Sequence, residues 1–128
     1  MKLDHVTIAA NDVGRLVRFY TAFADLEVSW SDDRKFAEVR GPGIVLGIID
    51  ELYLAASGGP KFVDQQNPRL ARNKTITQWS VSDLDQSVST AESSGGEVLV
   101  RPVLLPWGSR SAYVLDPEHN MLEMYQWV

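Results

Sequence analysis

The strongest constraint on this chain is an internal repeat. Residues 5–10 alternate in the manner of a strand, with Val6 and Ile8 on one face and His5 and Thr7 on the other. Asn11 and Asp12 then offer helix-capping side chains, and Val13, Leu16, Val17 and Tyr20 recur at helical spacing. Residues 26–30 read as a strand, 31–33 as a turn, 35–40 as the antiparallel partner, and 44–49 as an apolar strand entered through Gly41, Pro42 and Gly43. The second half repeats the order. Residues 76–81 are strand-like, Ser82 and Asp83 occupy the cap, and Leu84, Val88 and Ala91 mark a helix face that stops at Gly95 and Gly96. Strands follow at 97–101, after a longer connection at 109–115, and at 121–127 behind Asp116 and Pro117. A shift of 71 residues lays Ala10 on Val81, Asp12 on Asp83, Val13 on Leu84 and Val17 on Val88; a shift of about 75 lays Leu46 on Leu122. The chain is thus a duplicated strand-helix-strand-strand-strand unit.

One helix covers only one face of a sheet of about four strands, so the other face must be buried or used. Two units placed side by side can form a concave groove, and a cleft between units is where ligands usually sit. Strand alternation says what would line it. The first strand gives His5 and Thr7, the fifth gives Ile76, Gln78 and Ser80, and the last gives Glu123, Tyr125 and Trp127, while Trp79 and Val81 face the helix. Glu123 is an acid among aromatics, which suits a ligand wall or a half-exposed edge strand. Trp30, Trp107 and Trp127 are candidate flat walls. Arg110 and Tyr113 have opposite parity, so a regular strand turns at most one of them inward.

Residues 51–75 differ in texture. Residues 52–56 would extend the fourth strand, and the breakers at 57–60 and 64–68 flank Phe62 and Val63. A connection of this length suggests a lid, a binding loop or a dimer arm, against a disordered hinge. The expected organisation is a single domain over 1–128, with module 1 at about 1–55, a connection at about 56–75 and module 2 at about 76–128.

With 128 residues the chain can bury a core without staples, and with no cysteine it has no disulfide or thiolate metal site. Neither a targeting segment nor an 18-residue apolar run stands in the sequence, so a cytoplasmic protein without membrane contact is expected. Twelve basic residues against seventeen acidic ones leave a charge of −5 with the basic residues scattered, which disfavours nucleic acid.

Four segments carry a family resemblance. They are residues 3–8 leading to Asp12; Arg18, Phe19 and Tyr20; residues 81–85; and above all residues 116–123, which look like a closing Asp-Pro-x-Gly-Asn-x-x-Glu with His119 in place of the glycine. In these the chain resembles the glyoxalase/bleomycin resistance protein/extradiol dioxygenase superfamily, the vicinal oxygen chelate proteins. The resemblance implies an α+β fold of two tandem βαβββ modules, with mixed sheets curling around a central cavity, and a homodimer. It also implies a divalent metal held from equivalent strands, for which His5 and Glu123 match family ligand positions. The second-module counterpart of His5 is Ile76, however, and the first-module counterpart of Glu123 falls on or beside Gly47. Two ligands do not make a catalytic zinc, magnesium or manganese site, so no cofactor is expected.

Metal-free binding or sequestration of a medium-sized, partly aromatic small molecule is therefore the expected function. His5, Thr7, Trp30, Gln78, Trp107, Arg110, Tyr113, Glu123, Tyr125 and Trp127 are its candidate contacts. One alternative is a metal-dependent lyase, isomerase or dioxygenase with His5 and Glu123 as ligands. The other is a metal-free enzyme with His5 and Glu123 as the acid-base pair.

Overall fold

Three aspartates decide where the helices begin. The Asp12 carboxylate accepts the Arg15 backbone N–H at 3.0 Å, Asp50 accepts that of Tyr53 at 2.9 Å, and Asp83 accepts that of Gln86 at 3.0 Å. Each satisfies one of the donors that a helix N-terminus leaves without a partner. The structure, a computed structural model, describes residues 3–32, 34–58 and 75–128. These fall into two compact units, each built on one four-stranded sheet.

The first unit runs β1 (Val6–Ala10), α1 (Val13–Phe23), β2 (Glu27–Asp32), β3 (Phe36–Gly41), β4 (Ile44–Asp50) and α2 (Glu51–Ala56). Its strand order is β1-β4-β3-β2, with β1 parallel to β4 and the other pairs antiparallel. Ala37, Val39, Leu46 and Ile48 form a buried row, and α1 buries Val13, Leu16, Phe19 and Tyr20. The rings of Phe19 and Tyr20 meet edge to face at 5.1 Å. Residues 52–56 do not extend the fourth strand as the sequence suggested. The Asp50 cap turns them into α2, whose Glu, Leu and Ala residues are good helix formers. The lid, loop or arm expected over 51–75 lies, from 59 to 74, outside the described residues.

The second unit runs β5 (Ile76–Ser80), α3 (Leu84–Ser93), β6 (Glu97–Leu104), β7 (Ser109–Leu115) and β8 (Met121–Trp127), in strand order β5-β8-β7-β6 with β5 parallel to β8. The helix α3 lies against β6, β7 and β8, over a face where Ala112, Val114, Leu122 and Met124 are fully buried. The Gln126 amide fastens the end of β8 to the start of α3, accepting from Leu84 N at 3.1 Å and donating to Ser82 O at 2.7 Å. The connection expected at 102–108 is shorter, because β6 continues through Pro102 to Leu104. An edge strand tolerates proline, and two register shifts along β6 absorb the irregularity.

The two units are therefore both βαβββ with mixed sheets. Their registers align residue for residue: Thr7 pairs with Gly47 in one, and Gln78 with Glu123 in the other. Among the described residues no helix is long and apolar enough to cross a membrane.

Candidate functional site

The turn before β8 fixes what β8 presents. Asp116, only 1% exposed, accepts three hydrogen bonds: from the backbone N–H of Glu118 at 2.8 Å, from that of Asn120 at 3.0 Å and from the Asn120 side-chain amide at 2.9 Å. Its own N–H donates to Asn120 O at 2.9 Å, closing the loop, and His119 completes the turn at φ 68°. This is the left-handed region that glycine enters freely and other residues rarely do. The chain leaves the turn with Leu115 opposite Met121, which places Tyr113 opposite Glu123.

A row of polar side chains thereby crosses the sheet of the second unit on the face away from α3. Gln78 on β5, Glu123 on β8 and Tyr113 on β7 are direct cross-strand neighbours. The Gln78 amide donates to Glu123 Oε2 at 3.1 Å, and the Ser111 hydroxyl donates to Oε1 at 3.2 Å. Ser111 lies 3.4 Å from the hydroxyl of Ser109, and both serines are buried. Glu123 is 8% exposed. Partial burial pushes the Tyr113 phenol above the ordinary tyrosine value. The charge of Glu123 raises it further, and so does the hydrogen bond between the two side chains. Two residues along β8, Tyr125 meets Trp127 edge to face at 6.1 Å, and Trp127 is 64% exposed.

The titration of Tyr113 has a sign. A phenol whose folded pKa is raised keeps its proton where the unfolded chain has lost it. Its contribution is full below the ordinary value of 10.0 and is lost as pH rises from there through the raised value. Thermal unfolding followed from about pH 9 to pH 11 should therefore fall more steeply in wild type than in Tyr113→Phe.

Of the candidate contacts, the structure brings together Gln78, Tyr113, Glu123, Tyr125 and Trp127. Arg110 is on the opposite face, where alternation along β7 sends it to α3; its guanidinium meets both Asp85 oxygens at 3.3 Å. Trp107 stands exposed in the β6–β7 turn, next to Gly108 at φ 94°. His5, Thr7 and Trp30 belong to the first unit. Trp30 packs on Phe36 at 5.4 Å, and His5 precedes β1 with its Nδ1 2.7 Å from an oxygen of Asp4. His5 and Glu123 are not on adjacent strands, since β1 and β8 belong to different sheets, and β5 beside β8 carries Gln78 opposite the acid. Ser109 and Ser111 were missed by sequence reasoning. The available signal was their shared parity with Tyr113, opposite to that of Ala112 and Val114 on the helix side.

The donor set does not fit a divalent metal. Ile76 has no donor, and Gly47 has no side chain: a Cβ there would lie 2.6 Å from Thr7 Oγ1. Both Glu123 oxygens are taken by neutral donors. Among the described residues no three His, Asp or Glu side chains are grouped to hold a metal ion.

The sequence signature of the Glyoxalase/Bleomycin resistance protein/Dioxygenase superfamily matches residues 2–124. The chain is 24% identical over 128 residues to the uncharacterized protein YraH of Bacillus subtilis (strain 168), covering 98% of each. Among solved structures it is similar to a glyoxalase/bleomycin resistance protein/dioxygenase family enzyme from Burkholderia phytofirmans PsJN, with 17% identity, a TM-score of 0.82 and 97% of each chain covered. It is also similar to a glyoxalase-related enzyme from Fulvimarina pelagi, with 17% identity, a TM-score of 0.80, and 98% of this chain and 88% of that one covered. At such identities the structural likeness concerns the fold alone.

Proposed function

Because this chain belongs to the glyoxalase/bleomycin resistance protein/dioxygenase superfamily, we propose that it binds a medium-sized, partly aromatic small molecule without using a metal, on the Glu123 face of its second unit. The observation that carries this reading is the state of Glu123. The side chain stands where family members place a metal ligand, yet it is held in place by Gln78 and Ser111. A carboxylate fixed by neutral donors is a preorganised polar anchor, and the neighbouring Tyr125 and Trp127 rings supply flat apolar surface. Reaction chemistry has no comparable support, since the residues that would complete a metal site are Ile76 and Gly47. A cytoplasmic homodimer belongs to the same reading.

Thermal-shift screening of aromatic compounds tests it. A ligand at a hundred times its Kd adds about 2.7 kcal/mol, which for a chain of this size raises Tm by roughly 10 °C. Binding should persist in EDTA, and Trp127→Ala should weaken it about three- to tenfold, the worth of one aromatic contact. The reading fails if no compound moves Tm or if the chelator abolishes binding.

A further inference from the structure

We propose that the ligand taken by the Glu123 face is an organic cation, a protonated amine or guanidinium on an aromatic body, with Glu123 as its counter-ion. This rests on the binding reading above and adds the charge of the ligand to it. The charge of the chain is unevenly distributed. Residues 1–74 hold ten basic and ten acidic side chains, whereas residues 75–128 hold two arginines against seven carboxylates, so the whole charge of −5 belongs to the second half.

Both arginines are committed elsewhere. Arg101 pairs with Glu92 at 2.7 Å, and Arg110 pairs with Asp85 at 3.3 Å on the helix side of the sheet. Glu123 is left with hydrogen bonds from Gln78 and Ser111, and with the phenol of Tyr113. These satisfy its lone pairs but do not neutralise its charge. A carboxylate that is 8% exposed has exchanged most of its hydration for those few dipoles, and a buried charge with no counter-charge among the described residues is the costly case. The shortfall falls to whatever covers the face. A cation there gains the attraction of a desolvated carboxylate and of the surrounding negative field, and the Tyr125 and Trp127 rings favour a cation over their faces. An anion meets repulsion from both sources.

Three naphthalene probes that differ only in the head group decide the matter: 2-naphthylmethylamine, 2-naphthalenemethanol and 2-naphthoate, titrated into the full chain and followed by amide and indole NMR shifts. Wild type is expected to bind the amine about tenfold more tightly than the alcohol and to bind the carboxylate weakest. Glu123→Gln should bring amine and alcohol to within about twofold, while Asp85→Asn, which removes an exposed acid of the same unit, should leave the preference standing. Equal binding of amine and alcohol by wild type overturns the cation inference and leaves the binding reading intact. An equal loss of preference in Asp85→Asn overturns the role of Glu123. Binding of none of the three removes the inference together with the reading beneath it. The wild-type ranking stands on its own if Glu123→Gln fails to fold.

Discussion

Asp116→Ala is expected to lower the stability of the protein by about 3 kcal/mol, because hydrogen bonds to a charged group contribute about 1.5–3 kcal/mol each and this carboxylate receives three. The full sum is not reached. The backbone N–H groups of Glu118 and Asn120 lie at the rim of the turn, where water can partly replace the lost acceptor. Asp116→Asn keeps the oxygen that accepts from the two backbone groups but turns an amide against the amide of Asn120. It should cost about half as much. Urea unfolding of the three proteins measures the series, and a loss below about 1 kcal/mol in the alanine variant would show that the turn forms without its hub. In a chain of this size 3 kcal/mol corresponds to a fall in Tm of roughly 11 °C. Since the turn sets the pairing of β7 with β8, the alanine variant should also lose ligand binding before it loses its fold.

The second large effect is expected at Gly47, where β4 passes β1. A methyl group there would meet Thr7 Oγ1 at 2.6 Å and the rest of the Thr7 side chain at 3.3 Å. Gly47→Ala should therefore cost about 1–3 kcal/mol through overpacking. Thr7→Ala alone should cost little, since Thr7 is exposed. Combined, the two substitutions should recover most of the loss, leaving a coupling of at least about 1 kcal/mol in the double-mutant cycle. Additive effects would mean that the strands slide apart instead of clashing. The position equivalent to Glu123 in the first unit is thus a glycine beside Thr7, where the second unit pairs Glu123 with Gln78.

The repeat was legible because its signals are local. Asp12 and Asp83 before apolar residues at helical spacing mark two helices, and the alternation of residues 121–127 separates Glu123, Tyr125 and Trp127 from Leu122 and Met124 without any knowledge of tertiary structure. Asp50 carried the same capping signal, yet it follows an apolar strand and precedes Leu52 and Leu54, so continued strand and new helix looked alike. The companions of Glu123 were harder, because pairing between β5 and β8 joins residues 45 positions apart. Nothing local says that Gln78 will stand beside the acid. Nor does a serine on a strand, Ser111, announce that it donates to a carboxylate twelve residues away.

The irregular edge strand of the second unit bears on how the protein stays dispersed. Val100, Val103 and Leu104 are exposed on β6, a strand with no neighbour on its outer side within its own sheet. A flat, apolar edge of that kind invites a foreign strand to add to it and so to start aggregation. Pro102 has no N–H to offer an incoming strand, and the two register shifts around it spoil the even ladder that such a strand would need. The sheet can thus leave apolar side chains in water without offering its backbone as a template.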